Sequence, residues 1–277
     1  MTPDEYCRQK ASASGSSFYY SFLFLPAPRR RAITALYAFC REVDDVVDDT
    51  AEMQIAAAKL AWWRAELANL YRGNPQHPVT RALLPFIGDY SLPHEHLNEI
   101  IDGMEMDLTQ TRYLDWGALE RYCHRVAGVV GLLAARIFGH TDARTLEYAR
   151  DLGIAFQLTN IIRDVGEDAR KNRIYLPMDE LKRFDVPAAD LLNARETPQF
   201  SALMRFQDER ARSWYDKAFA ALPAHDRRAQ RPGLIMAAIY KALLDEIGRD
   251  GFRVLSRRTS LTPLRKLWIA WKTWLAA

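Results

Sequence analysis

Apolar side chains recur along this chain at helical spacing, and no run alternates apolar and polar positions between turns as a half-buried strand does. The pattern predicts helix after helix. Pro26 and Pro28 open a strong periodic segment from Arg29 to Asp49, and proline suits a first helical turn. A second helix is expected from about Ala51 to Tyr71, stopped by Gly73-Asn74-Pro75. Shorter helices follow around Pro78 to Ile87 and Pro93 to Leu108. Asp115 is placed to cap a long helix through Phe138, ended by Gly139, and Asp142 to cap the next, through about Gly166. Arg170 to Pro177 reads as a basic loop, and Pro187 and Pro198 punctuate short pieces. Two more long helices are expected, from about Gln199 to Leu222 and from Pro232 to Leu255. With no glycine- or serine-rich linker, residues 1–277 read as one all-helical domain.

Two of these helices carry polar stripes. In the first, Asp44, Asp45, Asp48 and Asp49 crowd six positions, while Val43, Val46 and Val47 hold the segment against a core. Residues four apart are neighbours on a helix, so Asp44 repels Asp48 and Asp45 repels Asp49. A hard cation such as magnesium offsets that cost with oxygen ligands. The plainer alternative is a solvated acidic helix end. In the second helix, Gly153, Gln157, Asn160, Asp164 and Asp168 keep one face at steps of four and three, among Ile154, Phe156, Leu158, Ile161 and Ile162. Two such stripes facing each other make a shared metal site, as helical bundles build them. Arg41, Arg163, Arg170, Lys171 and Arg173 lie beside the acids, either as phosphate ligands or as plain salt-bridge partners.

Composition removes several other classes. The chain has a net charge of +3, too small to argue for nucleic acid. Cys7, Cys40 and Cys123 are odd in number and not at CxxC spacing, which fits a reducing cytoplasm and gives neither a disulfide framework nor a zinc site. The start, Met1-Thr2-Pro3-Asp4-Glu5, has no basic region before an apolar core, so no signal peptide is read. No apolar run is long enough to span a bilayer. Ala127, Gly128, Gly131, Ala134 and Ala135 are small residues within one helix, read either as tight helix packing or as room for a bulky apolar substrate. The tail, residues 262–277, is basic and amphipathic with three tryptophans; it lies at a membrane interface or packs as a last helix.

The stretches YAFCREVDDVVDD and QLTNIIRDVGEDARKNRIYLP resemble the two aspartate-rich motifs of the squalene/phytoene synthase family. IDGMEMDL and YCHRVAGVVGLL resemble its other signatures, in the family's order, and SGSSFYYSFLFLP and AAIYKALLDEI extend the likeness over nearly the whole chain. The opening is most similar to bacterial presqualene diphosphate synthases of hopanoid biosynthesis. The resemblance implies an all-α isoprenoid synthase bundle with a central cavity, joining two farnesyl diphosphates head to head with magnesium. Carried over by motif, Asp44 and Asp48 bind magnesium from one wall, and Asn160, Asp164 and Asp168 from the other. Asp45 and Asp49 are left to tune the field or pair with nearby bases. Tyr37, Arg41, Gln157, Arg163 and Arg173 contact diphosphate or prenyl chain, Ser14, Gly15, Ser16 and Ser17 close over a diphosphate, and Tyr240 and Arg257 align through IYKALLDEI and the spacing after it. The family often has a basic or histidine residue just before the serine-phenylalanine pair, where this chain reads Ser14-Gly15-Ser16-Ser17.

No GxGxxG follows a strand, a fingerprint that helical squalene synthases need not use; together with the likeness of the opening, this favours stopping at presqualene diphosphate and leaving completion to a downstream enzyme. The competing readings are a squalene, dehydrosqualene, hydroxysqualene or phytoene synthase, a non-catalytic scaffold of the same fold, and a metal-dependent phosphohydrolase. The scaffold is expected to lose metal aspartates, which are all present. The phosphohydrolase wants a histidine-aspartate pattern, and none of the six histidines lies near an acidic motif.

Overall fold

The computed structural model describes residues 1–13, 21–22, 24–50 and 52–276. Thirteen α-helices follow one another among these residues: α1 Pro3–Ala13, α2 Ala27–Asp48, α3 Met53–Tyr71, α4 Pro78–Asp89, α5 His94–Thr109, α6 Trp116–Cys123, α7 Val129–Phe138, α8 Arg144–Arg170, α9 Met178–Arg183, α10 Ala188–Leu192, α11 Pro198–Ala221, α12 Arg231–Arg249 and α13 Pro263–Ala276. The only β pairing among them is an isolated bridge between Arg112 and Ile174. The expected boundaries of α2 to α5 and α11 hold to within about two residues at each end, because prolines and turn residues fix them.

Three elements differ from expectation. The opening segment forms α1, a polar helix that buries only Cys7 and Ala11 and so shows no strong periodicity. It docks on α2 by polar contacts: the Tyr6 hydroxyl donates to Glu42 at 2.7 Å, and Lys10 pairs with Glu42 at 3.0 Å and Asp45 at 2.7 Å. The helix capped by Asp115 is not uniform, since His124–Gly128 takes a π turn between α6 and α7. Such turns re-aim side chains and concentrate at functional sites. Here Val126 and Ala127 are turned into the wall of a cavity.

The third difference concerns Gly166, which does not end its helix. α8 runs on to Arg170, and Gly166 is where another stretch of backbone crosses it. A Cβ at Gly166 would lie 2.5 Å from the Val254 carbonyl oxygen and 2.4 Å from that of Leu255. To lie there the chain leaves α12 at Arg249, six residues before the expected end, turning through Gly251 and Phe252 with φ of +70° and +60°. Glycine takes such angles freely.

The core divides into two clusters. One gathers α1 to α5 and most of α7 around Leu36, Phe39, Leu60 and Leu97; the other gathers α8 to α12 around Tyr148, Phe200, Tyr215 and Leu244. α7 and α8 join them with almost no space between their backbones. A Cβ at Gly131 would meet the Ala149 carbonyl oxygen at 2.1 Å, and one at Gly153 the Ala127 carbonyl oxygen at 2.2 Å. Both readings of the small-residue cluster therefore hold, because Ala127, Gly131, Ala134 and Ala135 pack tightly and also line a cavity.

Candidate active site

That cavity lies on the seam between the two clusters and encloses about 170 Å³. Ile33, Leu36 and Phe138 line it from one cluster, Tyr148, Leu152, Phe156 and Met236 from the other. Its walls are almost wholly apolar. Polar side chains enter at one end, where Tyr37, Gln157 and Asn160 face it, one turn from Arg41 on α2 and from Asp164 on α8.

The α2 side of that end is a chain of charge. Arg41 forks between Asp44 and Asp45, 2.5 Å to each carboxylate. Asp45 is shared with Lys10, so it pairs with nearby bases as expected. Withdrawal from water pushes the Asp44 carboxyl up to about 6, against the pull of Arg41. Asp48 reaches the other side of the seam, pairing with Arg173 at 3.0 Å and Lys171 at 3.3 Å. The basic loop after α8 thus ties the two acidic stripes together.

On α8, Arg163 grips Asp164 with two nitrogens, and Arg258 adds a third contact at 2.8 Å. Burial raises the Asp164 carboxyl, but the two guanidiniums outweigh it and hold it below its ordinary value. Asp168 is different. It has no ion pair among the described residues, and burial, with Asp164 and Asp107 nearby, pushes it up to about 7. The Asn160 side-chain oxygen is buried with no partner, while its nitrogen donates to Gln157 at 3.3 Å. Tyr240, stacked obliquely on Phe156 at 4.9 Å, turns its phenol toward Arg163 and Asn160.

Most of the expected residues meet here. Tyr37, Arg41, Asp44, Asp48, Gln157, Asn160, Arg163, Asp164, Asp168, Arg173 and Tyr240 surround the polar end of the cavity. Arg257 does not: it turns away to Asp250, with Nε 2.7 Å from the carboxylate, and Arg258 takes the place on the acid wall. The crossing at Gly166 sets this choice by laying Val254 and Leu255 on α8 just before the two arginines. Ser14, Gly15, Ser16 and Ser17 lie outside the described residues.

Asp107 is a participant that the periodic reading passed over. It is buried on α5 and accepts from the Tyr122 and Tyr175 hydroxyls, each at 2.8 Å. Burial pushes its carboxyl up to about 6. Its signal was present: Asp107 falls three residues after Met104, on the stripe of Leu97, Ile100 and Ile101 that faces the core. By fixing Tyr175 it also anchors the loop that carries Arg173.

No three His, Cys, Asp or Glu side chains among the described residues converge closely enough to hold a metal ion. The donor chemistry nevertheless suits a hard divalent cation. The side chains are oxygen donors, one buried amide oxygen lacks a partner, and burial beside other carboxylates pushes Asp44 and Asp168 toward protonation, a cost that a bound cation would offset.

The profile of the family described as Squalene/phytoene synthase matches residues 11–265. A phytoene synthase of Arthrospira platensis is 36% identical over 95% of this chain and 89% of its own. A 15-cis-phytoene synthase of a Synechocystis strain is 35% identical over 99% of this chain and 85% of its own. Among solved structures, a dehydrosqualene synthase in complex with ligand superposes with a TM-score of 0.86 at 28% identity, covering 98% of this chain and 95% of that one. The squalene synthase HpnC of Alicyclobacillus acidocaldarius gives 0.82 at 28% identity, over 90% of this chain and 94% of its own. The helical bundle is that of the isoprenoid synthases.

Proposed function

Because the chain belongs to the squalene/phytoene synthase family, we propose that it joins two farnesyl diphosphates head to head, releases diphosphate and stops at presqualene diphosphate. The observation that carries the head-to-head reaction is the junction itself: a cavity with apolar walls that ends between two arginine-laced aspartate stripes. The choice of presqualene diphosphate rests on the opening SGSSFYYSFLFLP. The identity to phytoene synthases favours a second reading, condensation of a longer prenyl diphosphate toward phytoene.

In this reading Asp44, Asp48, Asn160, Asp164 and Asp168 hold magnesium. Bound there, the ion neutralises a diphosphate and makes it a better leaving group. Arg41, Arg163 and Arg173, with Arg258, are released from their carboxylates to bind the same diphosphate through paired N–H donors. The apolar walls exclude water, so the allylic cation left when the C–O bond breaks meets the double bond of the second chain instead. A carbon–carbon bond forms and a proton leaves the former C1, closing the cyclopropane. Tyr37, Gln157 and Tyr240 orient the prenyl chains where cavity and charge meet. A membrane-surface position through α13, and a downstream enzyme that consumes the product, complete the proposal.

The test is product identification. Purified protein is incubated with farnesyl or geranylgeranyl diphosphate and magnesium, with and without a nicotinamide cofactor, and the products are read by mass spectrometry. Presqualene diphosphate from farnesyl diphosphate, with or without cofactor, is expected. Squalene only with cofactor, or phytoene only from the longer substrate, overturns the product assignment. Asp44→Ala and Asp164→Ala should each abolish turnover while circular dichroism keeps its helical signal; near-normal turnover in both removes the two-wall site.

A further inference from the structure

α13 is docked by one side only. Ala270 is fully buried, Ile269 and Trp274 pack on the second core cluster, and Leu261 anchors the approach. The opposite side carries Leu264, Leu267, Trp268, Trp271 and Leu275 in the open, with Leu264 80% exposed, Trp268 60% and Trp271 47%. At helical spacing these five fall within an arc of about 100°, an unbroken apolar stripe. Arg265 and Lys272 flank one edge of it, and Trp274 the other.

Beyond Trp274 lies a second, polar pocket. Trp274 stacks on Phe24 at 5.5 Å, and together they form one wall of a hollow of about 630 Å³ that Arg29, Arg228 and Arg231 also line. Arg41, Arg163 and Arg173 at the aspartate stripes have carboxylate partners, but none of the three lining the hollow forms an ion pair among the described residues. The Arg231 Nε is buried with no partner. Asp226, the only carboxylate lining the hollow among the described residues, accepts hydrogen bonds from Thr141, Asp142 and Thr145. Three guanidiniums against one carboxylate leave an excess of positive charge beside the tryptophan stripe.

We propose that this face docks on an anionic phospholipid bilayer, with α13 lying in the plane of the interface, its tryptophan stripe among the acyl chains and the Arg29–Arg228–Arg231 hollow around a lipid phosphate. Tryptophan suits the boundary between apolar and wet surroundings, and arginine suits phosphate. The helix lies on the membrane and does not cross it: at about 21 Å, 14 residues fall short of the ~30 Å hydrocarbon core. No helix among the described residues is long and apolar enough to span. The position also connects to the cavity, since Ser21 and Pro232 line both the hollow and the apolar cavity. On the reaction proposed above, the cavity's far end therefore faces the phase in which an apolar product dissolves.

The full chain is floated with phosphatidylcholine vesicles with and without phosphatidylglycerol, at low and high salt. Flotation with the anionic vesicles, weakened by salt, is expected. Trp268→Ser with Trp271→Ser should abolish it, and Arg228→Gln and Arg29→Gln should each weaken it about fivefold on anionic vesicles only. Thermal melting checks that each variant is folded. Flotation that ignores phosphatidylglycerol, no flotation at all, or flotation undiminished in the folded tryptophan variant overturns the proposal. So does a dimer that the tryptophan variant breaks, since a second copy would then be the occupant. Turnover without vesicles reads the proposed reaction separately, so either can fail while the other stands.

Discussion

Arg257 and Arg258 are equivalent neighbours in a sequence and opposites in the fold. Arg257 pairs with Asp250 at the surface, while Arg258 reaches 94 residues back along the chain to Asp164. A charge-assisted contact is worth about 1.5–3 kcal/mol, roughly ten- to a hundredfold in rate if it is used in the transition state. Arg258→Gln should therefore lower kcat/KM by about ten- to a hundredfold, and Arg257→Gln should stay within about twofold. Steady-state kinetics on the two variants decides it; equal effects would mean that the turn after α12 sits differently. This is also the scale at which sequence reading was least complete. The aspartates were legible because like charges four apart demand an explanation. Arg258 was not, because which of two adjacent arginines faces inward depends on a backbone crossing at Gly166, 92 residues earlier.

The glycines of the helices divide by what lies opposite them. Gly153 on α8 faces the Ala127 carbonyl with no room for a methyl group, whereas a Cβ at Gly88 on α4 would meet nothing within 4 Å. Gly153→Ala must push the His124–Gly128 turn off α8 and should cost about 1–3 kcal/mol or more. Gly88→Ala should raise stability by about 0.4–1 kcal/mol through helix propensity and a restricted unfolded chain. Denaturant midpoints should move in opposite directions for the two; a common direction would contradict the packing. Helix existence and most boundaries were legible, since apolar spacing and prolines are local signals. The π turn at His124–Gly128, the early end of α12 and the length of α8 were not, because each answers to a contact with a distant segment.

For the molecule as a whole, the all-helical reading held, and the ion pairs of Arg173 and Lys171 with Asp48 bring the loop after α8 against the α2 stripe. The division into two core clusters with a cavity on their seam is a property of packing and has no local signature. Asp226 shows how such distant parts are held together. Its carboxylate accepts from the Thr141 and Asp142 backbone N–H groups and from both the Thr141 and Thr145 hydroxyls, fastening the start of α8 to the turn before α12. Burial works against the charge, but these donors outweigh it and hold the carboxyl well below its ordinary 3.8. A depressed carboxyl stabilises the fold above its unfolded value, and that contribution fades as pH falls through the folded one. Asp226→Asn should thus cost about 1.5–3 kcal/mol at neutral pH, and the gap to the parent should narrow below pH ~4. A gap that stays constant from neutral to acid pH would show that the charge is not what matters.

The backbone contact between α7 and α8 has a consequence for how such a chamber could take on molecules of another size. With carbonyl oxygens seated against glycine, that wall cannot breathe, since any opening forfeits contact along both helices. Extra length must be found elsewhere in the lining, at bulky side chains such as Ile33, Leu36, Phe138 and Tyr148. Change of substrate length in this scaffold is then a matter of trimming a few bulky side chains against a rigid backstop, a step single mutations can take without disturbing the aspartate rows.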